Sequence, residues 1–113
     1  MRTSRLIPAA FVASALSGPA HAAPTCLLEV AGQRYIDGPC DAFRTSDGHL
    51  IISVGSGSDI SYWAMVRLQG SDDGIAIWSG TLPEHTEQHL GSLQRDGSCW
   101  IGAHAQICAW GAR

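Results

Sequence analysis

Two histidines four positions apart, His85 and His89, stand beside Glu84 and Glu87. On a helix that spacing places both imidazoles on one face, where they can hold zinc. A zincin needs Glu directly after the first His, and Thr86 occupies that place. A third ligand would have to come from elsewhere. The pair therefore supports a small metal protein or enzyme only as an alternative, and its plainest meaning is a solvated His/Glu segment. Ser58, His104 and Asp59 have the residue types of a nucleophilic set. Gly55-Ser56-Gly57-Ser58 is not G-x-S-x-G, however, and suits a Gly/Ser turn better. Asp72-Asp73, joined by Asp59 or Asp47, have the chemistry for calcium but lack D-x-D-x-D-G spacing. The expectation is a non-enzymatic protein-binding module without catalytic set, cofactor or metal; the alternatives are the small metal protein or enzyme using His85 and His89 and a structural envelope protein.

The aromatic residues offer binding chemistry instead. Trp63 and Trp78 alternate with aliphatic neighbours, which predicts an aromatic face on one sheet. Trp100 and Trp110 are assigned to the core. Gly55-Ser56-Gly57-Ser58-Asp59 reads as a flexible loop before a strand that begins near Tyr62. Ser56, Ser58, Asp59, Tyr62 and Trp63 form the expected binding surface, because loops held on a rigid scaffold are where such modules bind.

The elements that must position these residues follow from export and patterning. Arg2 and Arg5, the apolar run 6–16 and Ala20-His21-Ala22 have the order of a secretory signal cleaved after residue 22. The run is too short to span a bilayer, which needs about 20 apolar residues. Residues 23–113 are expected to form one domain. After cleavage five arginines, no lysine and ten carboxylates remain, a net charge of about −5. That balance excludes a phosphate-backbone binder and a cationic membrane-surface helix, and it suits a basic protein partner. Neither Lys nor Asn occurs. With abundant Ala, Gly and Arg, this fits a GC-rich bacterial source and a periplasmic or secreted address.

Four Asp-Gly pairs punctuate runs rich in Ile, Val, Leu and aromatics. Such punctuation predicts an all-β antiparallel sandwich or barrel of about 7–8 short strands. Cys26–Val30 and Gln33–Ile36 form a hairpin across Ala31-Gly32. Its register sets Val30 against Gln33, Glu29 against Arg34 and Leu28 against Tyr35. Further strands are expected at His49–Val54, Ile60–Leu68, Ile75–Ser79, Leu90–Arg95, Cys99–Ile101 and Ala105–Trp110. Only Leu82–His89, with Pro83 early in it, suits a helix, and it suits a polar loop equally well.

Cys26, Cys40, Cys99 and Cys108 all lie in the exported part. Four cysteines in a short secreted chain form a disulfide framework with three pairings. A two-residue turn at Ala103-His104 sets Cys99 opposite Cys108 at a non-hydrogen-bonded pair, within reach of a disulfide. Cys26–Cys40 is then the second bond.

Two resemblances extend this picture. Gly97-Ser98-Cys99-Trp100 followed by Ala105-Gln106-Ile107-Cys108-Ala109-Trp110 resembles the ending of small exported bacterial proteins of unknown role. The architecture resembles that of periplasmic inhibitors of c-type lysozyme. In that family a Ser-Gly-x-x-Tyr-like loop and a Lys plug the enzyme's cleft. Here Ser56-Gly57 precedes Tyr62 at a different spacing, and the Lys has no counterpart. The resemblance implies a protein partner, possible in the form of a basic hydrolase such as lysozyme, and an inhibitory role.

Overall fold

The computed structural model describes residues 23–55, 60–81 and 87–113. The expected signal peptide, residues 1–22, lies outside them, as do Ser56, Ser58, Asp59 and His85. Nine strands form one antiparallel sheet: β1 (Thr25–Val30), β2 (Gln33–Pro39), β3 (Asp41–Arg44), β4 (Leu50–Val54), β5 (Tyr62–Leu68), β6 (Asp73–Trp78), β7 (Gln88–Asp96), β8 (Cys99–Ile101) and β9 (Ala105–Trp110). Their order is β2-β1-β9-β8-β7-β6-β5-β4-β3. The sheet curls into a nearly closed barrel. Arg44 N donates to Arg113 O at 2.7 Å, Arg113 N to Ala42 O at 3.0 Å, and Cys40 N to Pro24 O at 3.1 Å. These bonds fasten β3 to the segments flanking β1 and β9.

Alternation along each strand builds the interior. Leu28, Ile36, Leu50, Ile52, Val66, Leu93 and Ile107 are fully buried and pack with Trp78 and Trp100 in one core. Both disulfides join the cysteines that the register selects. Cys26–Cys40 fixes the corner between β2 and β3, with Cα atoms 5.8 Å apart. Cys99–Cys108 crosses the β8–β9 pair at 4.0 Å.

The first hairpin keeps Val30 against Gln33 and Glu29 against Arg34, and the ion pair forms at 3.5 Å. Beyond it a bulge intervenes, so Leu28 faces Ile36 rather than Tyr35. Its turn holds Ala31 at φ 52° and Gly32 at φ 83°. A left-handed alanine costs roughly 1–2 kcal/mol, and asparagine tolerates this region better. Ala31→Asn is therefore expected to raise stability by about 0.5–1 kcal/mol, read as a higher urea midpoint at unchanged slope. An unchanged or lower midpoint would contradict the turn geometry.

Four expectations are corrected. Gln88 and His89 belong to β7, where His89 pairs with Ile77, so neither the helix nor the loop expected over Leu82–His89 holds at these two residues. Residues 82–86 lie outside the described residues. The ninth strand, β3, has only Ala42 buried and thus no apolar alternation to announce it. Asp73-Gly74 opens β6 and Asp37-Gly38 lies within β2, so neither makes a turn. Trp110 is 46% exposed, because its position on β9 faces outward beside Thr25.

Candidate functional site

One end of the barrel collects the β1–β2 turn, the β4–β5 and β6–β7 connections and the β8–β9 turn. Three aromatic side chains fill its interior there. Tyr35 lies 5.3 Å from Tyr62 and 4.7 Å from Trp78 between ring centroids, and Tyr62 stacks on Trp78 at 6.5 Å. These spacings are those of favourable tilted and offset aromatic pairs. The bulge in the first hairpin leaves Tyr35 unpaired, while its ring stays on the inward side that Leu28 and Ile36 share. Tyr35 Oη donates to Gln33 Oε1 at 3.1 Å.

Trp78 and Ala64 are cross-strand partners on the inner side, and Trp78 is 4% exposed. Trp63, the neighbour of Ala64, therefore points outward. The expected shared face of Trp63 and Trp78 is thus corrected: a one-residue offset in period two puts them on opposite sides of the wall. Tyr62 lies inside and half buried, and Trp63 outside and half buried. Trp63 is anchored through its backbone. Its N–H donates to Ser79 Oγ at 3.2 Å, and Ser79 N donates to Trp63 O at 3.0 Å. Ser79 is fully buried. The loop preceding Tyr62 starts at Gly55 with φ 109° and returns where Ser61 N donates to Val54 O at 2.9 Å.

A groove of about 310 Å³ lies beside the β1–β2 and β8–β9 turns, lined by Glu29, Ala31, Ile101, His104 and Gln106 among others. Glu29 is engaged by Arg34, whose pKa is raised first by its hydrogen bond and charge contact with Asp37 and then by Glu29. The Arg34 side chain is exposed, so these contacts add little stability. His104 is exposed, and its carbonyl accepts from Ala31 N at 2.8 Å. At the far end, Asp47 lies in the β3–β4 turn, Asp72 in the β5–β6 connection and Asp73 at the start of β6. No group of three His, Cys, Asp or Glu side chains suited to a metal ion occurs among the described residues.

The structure thus places Tyr62 and Trp63 at one end of the barrel on opposite faces of β5, next to the connection that carries Ser56, Ser58 and Asp59. Sequence reasoning set Tyr35 opposite Leu28 but missed it as a site residue, since its contacts with Tyr62 and Trp78 arise only when the barrel brings distant strands together. Both disulfides are compatible with an oxidising, exported location. No helix among the described residues is long and apolar enough to cross a membrane. No family model, curated protein or solved structure matches the chain.

Proposed function

We propose that this chain is an exported, non-enzymatic protein-binding module that inhibits a basic envelope or host hydrolase such as lysozyme. Its contact surface is Ser56, Ser58, Asp59, Tyr62 and Trp63. The observation that carries the reading is the packing of Tyr35, Tyr62 and Trp78 against one another at the root of the β4–β5 connection. Packed rings hold Tyr62 and the start of β5 in place, so these residues lose little freedom on binding and more of their contact energy appears as affinity. Two disulfides stiffen the same scaffold. The excess of carboxylates over arginines favours encounter with a basic partner.

Calorimetric titration of c-type lysozyme with the oxidised domain tests the surface. The expected result is saturable one-to-one binding that weakens at least tenfold, about 1.4 kcal/mol, when Ser56→Arg, Ser58→Arg and Asp59→Arg are introduced together, which sets bulk and positive charge against a basic partner. Binding that is indifferent to this replacement would remove the loop from the surface.

A further inference from the structure

Strands β4, β5 and β6 are apolar on both sides, although the barrel interior accounts for only one. By register, Phe43 faces Ile51, Ile51 faces Met65, and Met65 faces Ile77, all on the outer wall. Phe43 is 44% exposed and Ile51 and Met65 are half buried, whereas Ile77 at 7% is already covered within the chain, so the open part of the row is Phe43, Ile51 and Met65. The opposite wall is different. Its outward row runs Gln94, Ile101, Gln106, Glu29 and Arg34, with a single apolar member. Strands apolar on both faces belong to sheets covered on both faces.

The residues bordering the apolar row say what covers it. Toward the aromatic end stand Ser53 on β4 and Trp63 on β5, which are cross-strand partners. Toward the other end stand His49 and Arg67, one step beyond the Leu50–Val66 pair, in an open groove of about 470 Å³ that Met65 also lines. His49 Nδ1 accepts from Leu68 N at 3.0 Å, so the neutral ring carries its proton on Nε2, available as a donor. Arg67 is exposed and makes no ion pair among the described residues.

The geometry points to a second copy of this chain as the occupant, packed face to face about a two-fold axis along the apolar row. That axis exchanges the two borders within each strand. Ile51 and Met65 meet their own counterparts, Ser53 meets the second copy's His49 as acceptor to donor, and the Trp63 ring meets the second copy's Arg67. A guanidinium over an indole face is a favourable cation–π contact. An isologous interface requires such self-complementarity. Three outward rows on four strands cover about 400 Å² a side at ordinary strand spacing. A standard interface buries roughly 800 Å² per partner. The dimer is therefore weak and reversible, and the curvature of the wall leaves β4 and β5 as its centre.

Sedimentation velocity of the oxidised domain, from micromolar to millimolar concentration, tests this. A reversible monomer–dimer equilibrium is expected, with Met65→Glu and Arg67→Glu each raising the dissociation constant at least tenfold, or by about 1.4 kcal/mol. Arg67 is exposed, so its variant keeps the wild-type fold, checked by circular dichroism. Ile101→Glu, on the polar wall, leaves the equilibrium unchanged, as does the combined Ser56→Arg, Ser58→Arg and Asp59→Arg change, which separates this result from that of the lysozyme titration. A domain that stays monomeric at millimolar concentration overturns the proposal, and so does association that ignores both Met65→Glu and Arg67→Glu.

Discussion

Gly74→Ala is expected to cost the domain about 3 kcal/mol of folding stability, at the upper end of what overpacking a core costs. Gly74 is buried near the start of β6, opposite Leu68 on one side and Leu93 on the other. A Cβ there would stand 2.6 Å from Val66 Cγ1, 3.1 Å from Arg67 O and 3.1 Å from Trp100 Cζ3. None of these can give way cheaply. Val66 is fully buried, Trp100 is 2% exposed, and the carbonyl belongs to the β5 backbone. The comparison is Gly97→Ala in the β7–β8 turn. There φ is 64° and nothing lies within 4 Å, so only the backbone penalty of roughly 1–2 kcal/mol applies. Urea unfolding of both variants should rank Gly74→Ala as the more damaging. The reverse ranking would mean that β5, β6 and Trp100 do not meet as closely as described.

Removing Cys26–Cys40 by the double change Cys26→Ala/Cys40→Ala is expected to cost about 3 kcal/mol. The bond closes a sequence separation of 14, for which chain entropy alone gives roughly that value. Position adds to the argument. Cys26 is buried on β1, and Cys40 is the corner from which the chain enters β3, the strand that closes the barrel. Loosening the corner also weakens the bonds from Cys40 to Pro24 and from Arg44 to Arg113. Protection of the Arg44 amide against hydrogen exchange should therefore fall with global stability, or faster. The Cys99–Cys108 bond, with a separation of 9, lies in an already paired hairpin, and its loss should leave that amide less affected. A loss below about 1 kcal/mol on removing Cys26–Cys40 would show that backbone bonds suffice to hold β3.

What could be read from the sequence was local register. Each hairpin turn of two residues pins its flanking pairs, so Glu29–Arg34 and Cys99–Cys108 follow from counting. The failures arise where a bulge breaks the count. One extra residue in β2 puts Ile36 rather than Tyr35 opposite Leu28, and another in β7, beside Gly91 at φ 84°, shifts the pairing between Ala76 and Ile77. Strand β3 escaped notice because closure of the barrel is a long-range requirement, met by backbone bonds to residues 24 and 113. Trp63 and Trp78 illustrate the limit for the site. Each alternates correctly within its own strand, but only the cross-strand pairing of Ala64 with Trp78 shows that the two rings face opposite ways. The apolar outer row did have a signal: Leu50–Val54 and Gly74–Trp78 are nearly continuous apolar runs rather than alternating ones.

The inhibitory reading is tested most directly by lysis of bacterial cell walls with c-type lysozyme, at increasing ratios of the purified, oxidised domain. The account predicts that lysis falls to a floor near equimolar domain, and that the combined Ser56→Arg, Ser58→Arg and Asp59→Arg change abolishes the effect while the fold persists. Undiminished lysis at a large molar excess of the folded domain would contradict it.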